Sequence, residues 1–367
     1  MLHANSASKN ELILGIETSC DDTSVALVRS SGEVVALKKW TADDDHIVFG
    51  GIIPERASRN HLKSLTPLLE KTLKENEIEF KDLKGLAVTN RPGLMGSLIV
   101  GVTTAQTVAE LTELPLVGVN HLEGHLMSPW LFEKGEQAKD LMNAYPQVSL
   151  IVSGGHTQLV LIEKLGSYKI LGRTLDDAVG EALDKFSNIV GLGFPGGPKV
   201  DKAAQNGSVK AYEFPKPMIR SGDYQFSFSG LKAAGARKVD EILKNQEMLA
   251  AQEVNDLCAS YLDSAVEVLS FKLKKALEEF KPKVFTVVGG VSANSQLRAR
   301  MELLSDQTGV PYESAKLKFC TDNGAMIALA GAMRIEKGLV VQPDEVLKTF
   351  ARSQPEDFKL GSFDEKR

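Results

Sequence analysis

The chain has 367 residues, 43% of them hydrophobic and 25% charged, with a net charge of −5. That length predicts two domains rather than one core, and no apolar run reaches the roughly 18 residues a membrane span needs. The acidic balance argues against a self-sufficient nucleic-acid binder, so any contact with nucleic acid needs a local basic face or a basic partner. The stretch from Met1 to Asn10 is polar and lacks an apolar signal core. Cys20, Cys258 and Cys320 lie far apart, without a Cys-x-x-Cys pair. Their spacing fits a reducing cytoplasm and argues against a disulfide framework or a cysteine zinc site.

In chain order, apolar runs at 12–18 and 24–29 predict two strands around the polar turn Ser19-Cys20-Asp21-Asp22-Thr23, and 34–40 predicts a third. After Pro54, Leu62, Leu65, Leu68, Leu69 and Leu73 recur at helical spacing. A strand at 85–89, a helix at 97–111, a strand at 116–119 and a short helix carrying two histidines follow. The second half repeats this order. Strands at 148–152 and 157–162 flank the turn Ser153-Gly154-Gly155-His156, a third strand covers 168–175, and a helix covers 177–190. After a long irregular and helical insertion at 191–280 come a strand at 284–288, a helix at 294–304, a strand at 310–313 and a helix at 323–337. Two copies of a βββαβαβα unit predict a duplicated α/β protein with a ligand cleft between its halves. Residues 130–147 read as the linker, and the polar tail after Phe350 reads as peripheral.

The most informative motif is His121-Leu122-Glu123-Gly124-His125-Leu126. On a helix the two imidazoles stack one turn apart on one face, where both can reach one metal ion. In a zinc-protease helix the glutamate directly follows the first histidine and serves as base. Glu123 instead lies two positions on, about 200° around the helix, pointing away from the metal face. Two readings stand here: a metal site without protease chemistry, or two half-buried histidines flanking a strand end. Asp322, in Phe319-Cys320-Thr321-Asp322-Asn323-Gly324, reads as an N-cap or as a third ligand, if the fold returns its helix to the first half. Two histidines and one carboxylate would leave positions open for substrate.

Three other stretches are candidate ligand contacts. The small turn Ser153-Gly154-Gly155 lets backbone N–H groups approach an anion. Val287-Val288-Gly289-Gly290-Val291-Ser292-Ala293-Asn294 is a strand, a glycine-rich turn and a helix start, with Asn294 either a cap or a ligand contact. Gly191-Leu192-Gly193-Phe194-Pro195-Gly196-Gly197-Pro198 is dense in glycine and proline, and 195–198 disfavours regular structure. It reads as a pocket wall beside Asp184 and Asp201, or as a solvent loop.

Together these motifs resemble the TsaD family, the bacterial tRNA threonylcarbamoyl transferases once labelled O-sialoglycoprotein endopeptidases. The likeness rests on Gly15-Ile16-Glu17-Thr18-Ser19-Cys20-Asp21-Asp22, the histidine motif, Val152-Ser153-Gly154-Gly155-His156-Thr157, the segment from Asp176-Asp177 to Asp184-Lys185, Pro195-Gly196-Gly197-Pro198, Phe226-Ser227-Phe228-Ser229-Gly230-Leu231-Lys232, Gly289-Gly290-Val291-Ser292-Ala293-Asn294 and Cys320-Thr321-Asp322-Asn323-Gly324. These span about 12–335 in order. The resemblance implies the two-lobed ATPase fold of actin, sugar kinases and heat-shock chaperones. Its N-terminal lobe would comprise 11–129 plus 322–350, and its second lobe 148–321 with the insertion. It implies transfer of threonylcarbamoyl from threonylcarbamoyl-AMP to N6 of adenosine 37 in tRNAs reading codons that begin with A, giving t6A and AMP in the cytoplasm.

By position in the family, His121, His125 and Asp322 would hold one divalent ion per subunit, iron or zinc. Ile151, Val152, Ser153, Gly154, Gly155, Asp184, Gly197, Asp201 and Asn294 would hold the substrate. His156 would orient phosphate or serve structure. No general base is assigned, with Glu17 the one speculation. Partners implied are tRNA, a TsaB-like paralogue, a TsaE-like small ATPase and, upstream, a threonylcarbamoyl-AMP synthase, with no membrane. Three departures mark this chain. Asn120 stands where the family commonly has a non-ligand histidine. Asn90-Arg91-Pro92-Gly93 replaces a Gly-Pro-Gly turn. Phe350-Ala351-Arg352-Ser353-Gln354-Pro355 replaces an Arg-Trp-Pro-Leu stretch. Rival readings are an ATPase or kinase of the same fold, a metalloprotease and a non-catalytic scaffold subunit.

Overall fold

A computed structural model describes residues 10–41, 52–342 and 344–353. The expectations for the first nine residues and for the tail beyond 353 lie outside them. The chain opens with β1 (Leu12–Glu17), β2 (Thr23–Arg29) and β3 (Glu33–Trp40), then α1 (Pro54–Glu75), β4 (Leu83–Arg91), α2 (Met95–Thr112), β5 (Leu116–Asn120) and α3 (His121–Met127). Pro54 opens α1, where its missing N–H and fixed φ cost nothing. Leu65, Leu69 and Leu73 bury the inner face of that helix, while Leu62 is exposed. The second half runs β7 (Gln147–Val152), β8 (Thr157–Lys164), β9 (Ser167–Arg173), α4 (Val179–Ile189), α5 (Gly196–Ala204), α6 (Ser229–Leu243), α7 (Ala251–Phe280), β10 (Val284–Val288), α8 (Ser295–Thr308), β11 (Tyr312–Ser314), α9 (Leu317–Cys320) and α10 (Gly324–Glu336).

The duplication is plain in the sheets. One has the order β5-β4-β1-β2-β3, the other β11-β10-β7-β8-β9. In each, the first two strand pairs are antiparallel and the two crossover pairs parallel. β1 and β7 are buried along their whole length, because helices cover both faces of each sheet centre.

Three expectations are corrected. Residues 130–147 are not a free linker: Trp130, Leu131 and Phe132 are buried, and β6 (Phe132–Glu133) extends the first sheet parallel to β3. Residues 196–198 are helical, because glycine and proline are tolerated in the first turn of α5, where the backbone N–H groups have no intrahelical partner. The tail is not peripheral as far as it is described: the Phe350 N–H donates to the Asn90 carbonyl and the Gly93 N–H to the Ala351 carbonyl.

The last helix positions the site. α10 packs across β1, β2, β4 and β5, on the sheet built by the first third of the chain. Its sequence, GAMIALAGAM, is small and apolar, and the fit is close. A Cβ on Gly15 would sit 2.1 Å from the Gly324 carbonyl oxygen, and one on Gly331 would sit 2.2 Å from the Ala87 Cβ. Gly15→Ala must therefore push α10 off the sheet. The expected loss is about 1–3 kcal/mol of stability, the usual cost of overpacking. Denaturant midpoints for the variant and wild type check it.

Candidate metal centre and substrate cavity

Local sequence sets the histidine helix. Asn120 ends β5 and caps α3, its Oδ1 accepting from the N–H groups of Leu122 (2.7 Å) and Glu123 (3.4 Å). This cap fixes where the helix begins, so His121 is its first residue and His125 lies one turn on. All seven residues of α3 are buried. Gly124 admits α10, since a Cβ there would come within 2.7 Å of Ile327 Cδ1. At the start of α10 the cap is Asn323 rather than Asp322: its Oδ1 accepts from the Met326 N–H at 3.0 Å. The Asp322 carboxylate is thereby left to face the imidazoles.

The structure brings the three residues together. Asp322 Oδ1 lies 3.1 Å from His125 Nε2 and 3.5 Å from His121 Nε2. The rings stand edge to face with centroids 4.6 Å apart, and one ligand atom from each residue falls within 4.8 Å of the others. The residues fit a divalent ion on two observations. The set is two neutral-capable imidazoles and a carboxylate, a donor combination suited to zinc or iron. Moreover, both nitrogens of wholly buried His125 lack a properly aligned hydrogen bond. Such orphaned buried polar atoms are costly without a partner.

Behind the site, Glu17 organises His121. Its wholly buried carboxylate accepts from the Ser19 N–H and the Thr89 hydroxyl, and lies 3.2 Å from His121 Nδ1. The Ser19 hydroxyl lies 3.0 Å from the same nitrogen. A carboxylate on Nδ1 turns Nε2 towards the metal position, as in many histidine–metal sites. Burial pushes the Glu17 carboxyl up, but the His121 imidazole outweighs this and holds it below its ordinary value. Burial opposes a charge on His121, while Asp322 and Glu17 raise its pKa to about 9. Asp322 is opposed by burial too, yet the two imidazoles hold it low, and burial holds His125 neutral. Two ionised carboxylates so placed call for positive charge, which a protonated His121 carries and a divalent ion in its place could supply. Glu17, engaged on both oxygens, is a positioning group here and makes a poor general base.

Glu123 faces the other way, as its register predicts. It accepts two hydrogen bonds from Arg334 (2.7 and 3.2 Å) and one from the Tyr168 hydroxyl (3.0 Å). It is buried and bound to α10 and β9, so it cannot act on a metal-bound water as a protease base.

A cavity of about 770 Å³ opens beside His121 and Asp322, lined by the first-half turn, the second-half turn and the tail. Ser153, Gly154, Gly155 and Asp184 line it, with His156, Gly290 and Phe194. A Cβ on Gly154, Gly155 or Gly290 would meet open space. Among the described residues the Gly154 and Gly155 N–H groups have no hydrogen-bond partner, so the turn presents free donors to an anion. His156 is held at about 4 by burial and by the neighbouring imidazoles. It is neutral and offers an N–H but no charge. The Cys20 thiol, also in the lining, is pushed well up by burial and Asp21, which disfavours the thiolate.

Apart from Asp184, the remaining candidates sit behind this wall. Ile151 and Val152 are core residues of β7, so only their backbone serves the turn. Asp184 accepts from the Gly196 (2.8 Å) and Gly197 (3.3 Å) N–H groups, closing the start of α5. Asp201 accepts from the Ser295 N–H (3.0 Å) and hydroxyl (2.7 Å), tying α5 to α8. Asn294 caps α8 through Oδ1, while its buried Nδ2 has no partner. Gly197, Asp201 and Asn294 lie outside the lining residues. Sequence reasoning offered the Ser19 hydroxyl as a turn contact and missed Thr89, Arg334 and the tail. Only contacts between residues distant in the chain reveal them.

A TsaD family profile, described as tRNA N6-adenosine threonylcarbamoyltransferase, matches residues 33–329. A protein of that name from Bdellovibrio bacteriovorus is 47% identical over 331 residues, 90% of this chain and 94% of the relative. One from Nitrosospira multiformis is 42% identical over 89% of this chain and 92% of its own length. Among solved structures, HypF of T. kodakarensis superposes with a TM-score of 0.56 at 12% identity, covering 90% of this chain and 48% of that one. Component A of the Acidaminococcus fermentans (R)-2-hydroxyglutaryl-CoA dehydratase gives 0.51 at 13%, covering 89% and 100%. At such identities the likeness is one of fold, the two-lobed architecture shared with actin and sugar kinases.

Glu123→Ala would remove the carboxylate that accepts two hydrogen bonds from the buried Arg334 guanidinium. A loss of about 3–5 kcal/mol is expected for breaking a buried pair from one side. The double variant Glu123→Leu with Arg334→Met is expected to recover much of it, because both charges then go. Urea unfolding of the three proteins measures the difference.

Proposed function

The chain belongs to the TsaD family, the tRNA N6-adenosine threonylcarbamoyltransferases, and from that premise we propose that His121, His125 and Asp322 hold one divalent metal ion, iron or zinc, beside a cavity that takes threonylcarbamoyl-AMP. The reaction is acyl transfer giving t6A in tRNA. The adenosine N6 bonds to the carbamoyl carbon, the bond from that carbon to the phosphate oxygen breaks, AMP leaves with the electron pair, and N6 gives up a proton. The donor is a mixed anhydride and is already activated, so the protein's task is to position it and exclude water. A bound metal would supply Lewis acidity towards the threonylcarbamoyl oxygens.

The chain's own residues do the rest. The Gly154 and Gly155 N–H groups, without a partner among the described residues, would receive phosphate oxygens. Asp184 and Asp201 brace the walls through α5 and α8, with Gly197 and Asn294 at the two helix starts. Glu17 and Ser19 fix the His121 ring. The observation that carries the reading is the convergence of a histidine pair and an aspartate about 200 residues apart in the chain on one point at the cavity edge. The engagement of Glu123 by Arg334 weighs against the protease reading. A kinase of this fold would not need the paired histidines.

In the same reading the protein works in the cytoplasm with a TsaB-like paralogue, a TsaE-like ATPase and an upstream threonylcarbamoyl-AMP synthase. No helix among the described residues is long and apolar enough to cross a membrane. Leu62 on α1 and Met95 and Ile99 on the adjoining α2 are exposed apolar residues, a surface suited to a protein partner. Ile99→Glu is expected to abolish co-elution with the paralogue in size-exclusion chromatography while the metal content is unchanged.

The decisive assay supplies preformed threonylcarbamoyl-AMP and unmodified tRNA to the protein with its partners, followed by mass spectrometry of nucleosides. Wild type is expected to form threonylcarbamoyladenosine, and a chelator to abolish it. His125→Ala is expected to lose both metal and product with the fold intact by circular dichroism. One metal ion per chain retained in that variant would overturn the ligand assignment. Nucleotide turnover that survives His121→Ala and His125→Ala would favour the kinase reading.

A further inference from the structure

Two of the departures from the family pattern meet in space. The Arg91 guanidinium stacks 4.5 Å over the Phe350 ring. Beside it the Phe350 N–H donates to the Asn90 carbonyl (3.0 Å), Asn90 Nδ2 donates to the Lys348 carbonyl (2.9 Å), and the Gly93 N–H donates to the Ala351 carbonyl (3.3 Å). Upstream, Leu347 is buried against the first half of the chain. The tail is thus strapped along the turn at 90–93, and the unusual arginine in that turn and the unusual phenylalanine in the tail are two halves of one contact. The same turn holds the metal site from outside, since the Leu94 N–H donates to the Ser19 carbonyl at 2.8 Å.

The strap delivers Ala351, Arg352 and Ser353 to the cavity wall. Among the described lining residues Arg352 is the sole lysine or arginine, in a cavity that also presents Asp21, Asp22, Asp184 and Asp322. The nearby lysine, Lys39, is already paired with Asp22 at 2.5 Å. Arg352 is exposed and has no hydrogen-bond or ion-pair partner among the described residues. Both substrates of the reaction are phosphate anions, and an acidic cavity repels them except where a cation compensates. A guanidinium is the side chain whose planar fork matches phosphate oxygens.

We propose that Arg352 is a phosphate-binding residue of the substrate cavity, held at its rim by the Arg91–Phe350 strap. The inference rests on the transferase reading for the identity of the anion. That phosphate belongs either to the adenylate of the donor or to the tRNA backbone, and the test separates them. The full metal-loaded chain, as wild type, Arg352→Ala and Arg352→Lys, is titrated with AMP by calorimetry and with unmodified tRNA by filter binding. Arg352→Ala is expected to weaken one of the two by about tenfold or more, as for a charge-assisted hydrogen bond. Arg352→Lys should restore part of the loss, since the charge remains and the fork does not, and metal content should be the same in all three. A weakened AMP arm assigns the adenylate phosphate, and a weakened tRNA arm assigns the backbone. Affinities for both ligands within twofold of wild type would overturn the proposal. Binding is read without turnover, so a wild type that binds AMP and tRNA yet makes no threonylcarbamoyladenosine counts against the transferase reading and not against Arg352.

Discussion

The buried pair of Glu123 and Arg334 is the constraint on which the site depends. It joins α3, which carries the two histidines, to α10, which carries Asp322 at its entrance. The two helices are about 200 residues apart in sequence and share no strand pairing. What holds them in register is this ion pair, the Tyr168 hydroxyl beside it, and the close approach that Gly124 and the small residues of α10 allow. An ion pair so placed is a weak source of net stability, because both charges were desolvated to make it. Its value is positional: few arrangements of α3 and α10 satisfy both partners.

That geometry explains the charge logic of the centre. Glu17 and Asp322 approach His121 from opposite sides, and burial makes each charge costly unless another answers it. Positive charge at the meeting point is therefore built into the fold. The cavity alongside has the opposite need. Its carboxylates would repel an anionic ligand, so free backbone N–H groups and few cations are what it offers to attract one. This is consistent with a chain that is acidic overall and acts on tRNA.

Two local contacts show how the neighbouring turns are fixed. Asn120 serves as the cap that starts α3, a role in which asparagine excels. Arg91 puts a charge in the turn after β4, and Phe350 provides the aromatic face over which that charge lies.

Much was legible in the sequence because its signals are local. The strand runs, the doubled βββαβαβα order and the helical spacing of His121 and His125 follow from side-chain periodicity, which any few neighbouring residues reveal. The orientation of Glu123 away from the histidine face followed from helix geometry alone. Sequence could not say that Asn323 rather than Asp322 caps α10, since adjacent residues compete for the same role and only the helix start decides. It could not say that residues 196–198 begin a helix or that 132–133 join a sheet, because there tertiary packing overrides weak local preference. The convergence of His121, His125 and Asp322, the bracing by Glu17 and Arg334, and the return of the tail to the cavity are contacts across 100 to 260 residues of chain. Sequence supplied the ligand types and their spacing. The fold alone decided which of them meet, because that depends on how the last helix packs across the first sheet.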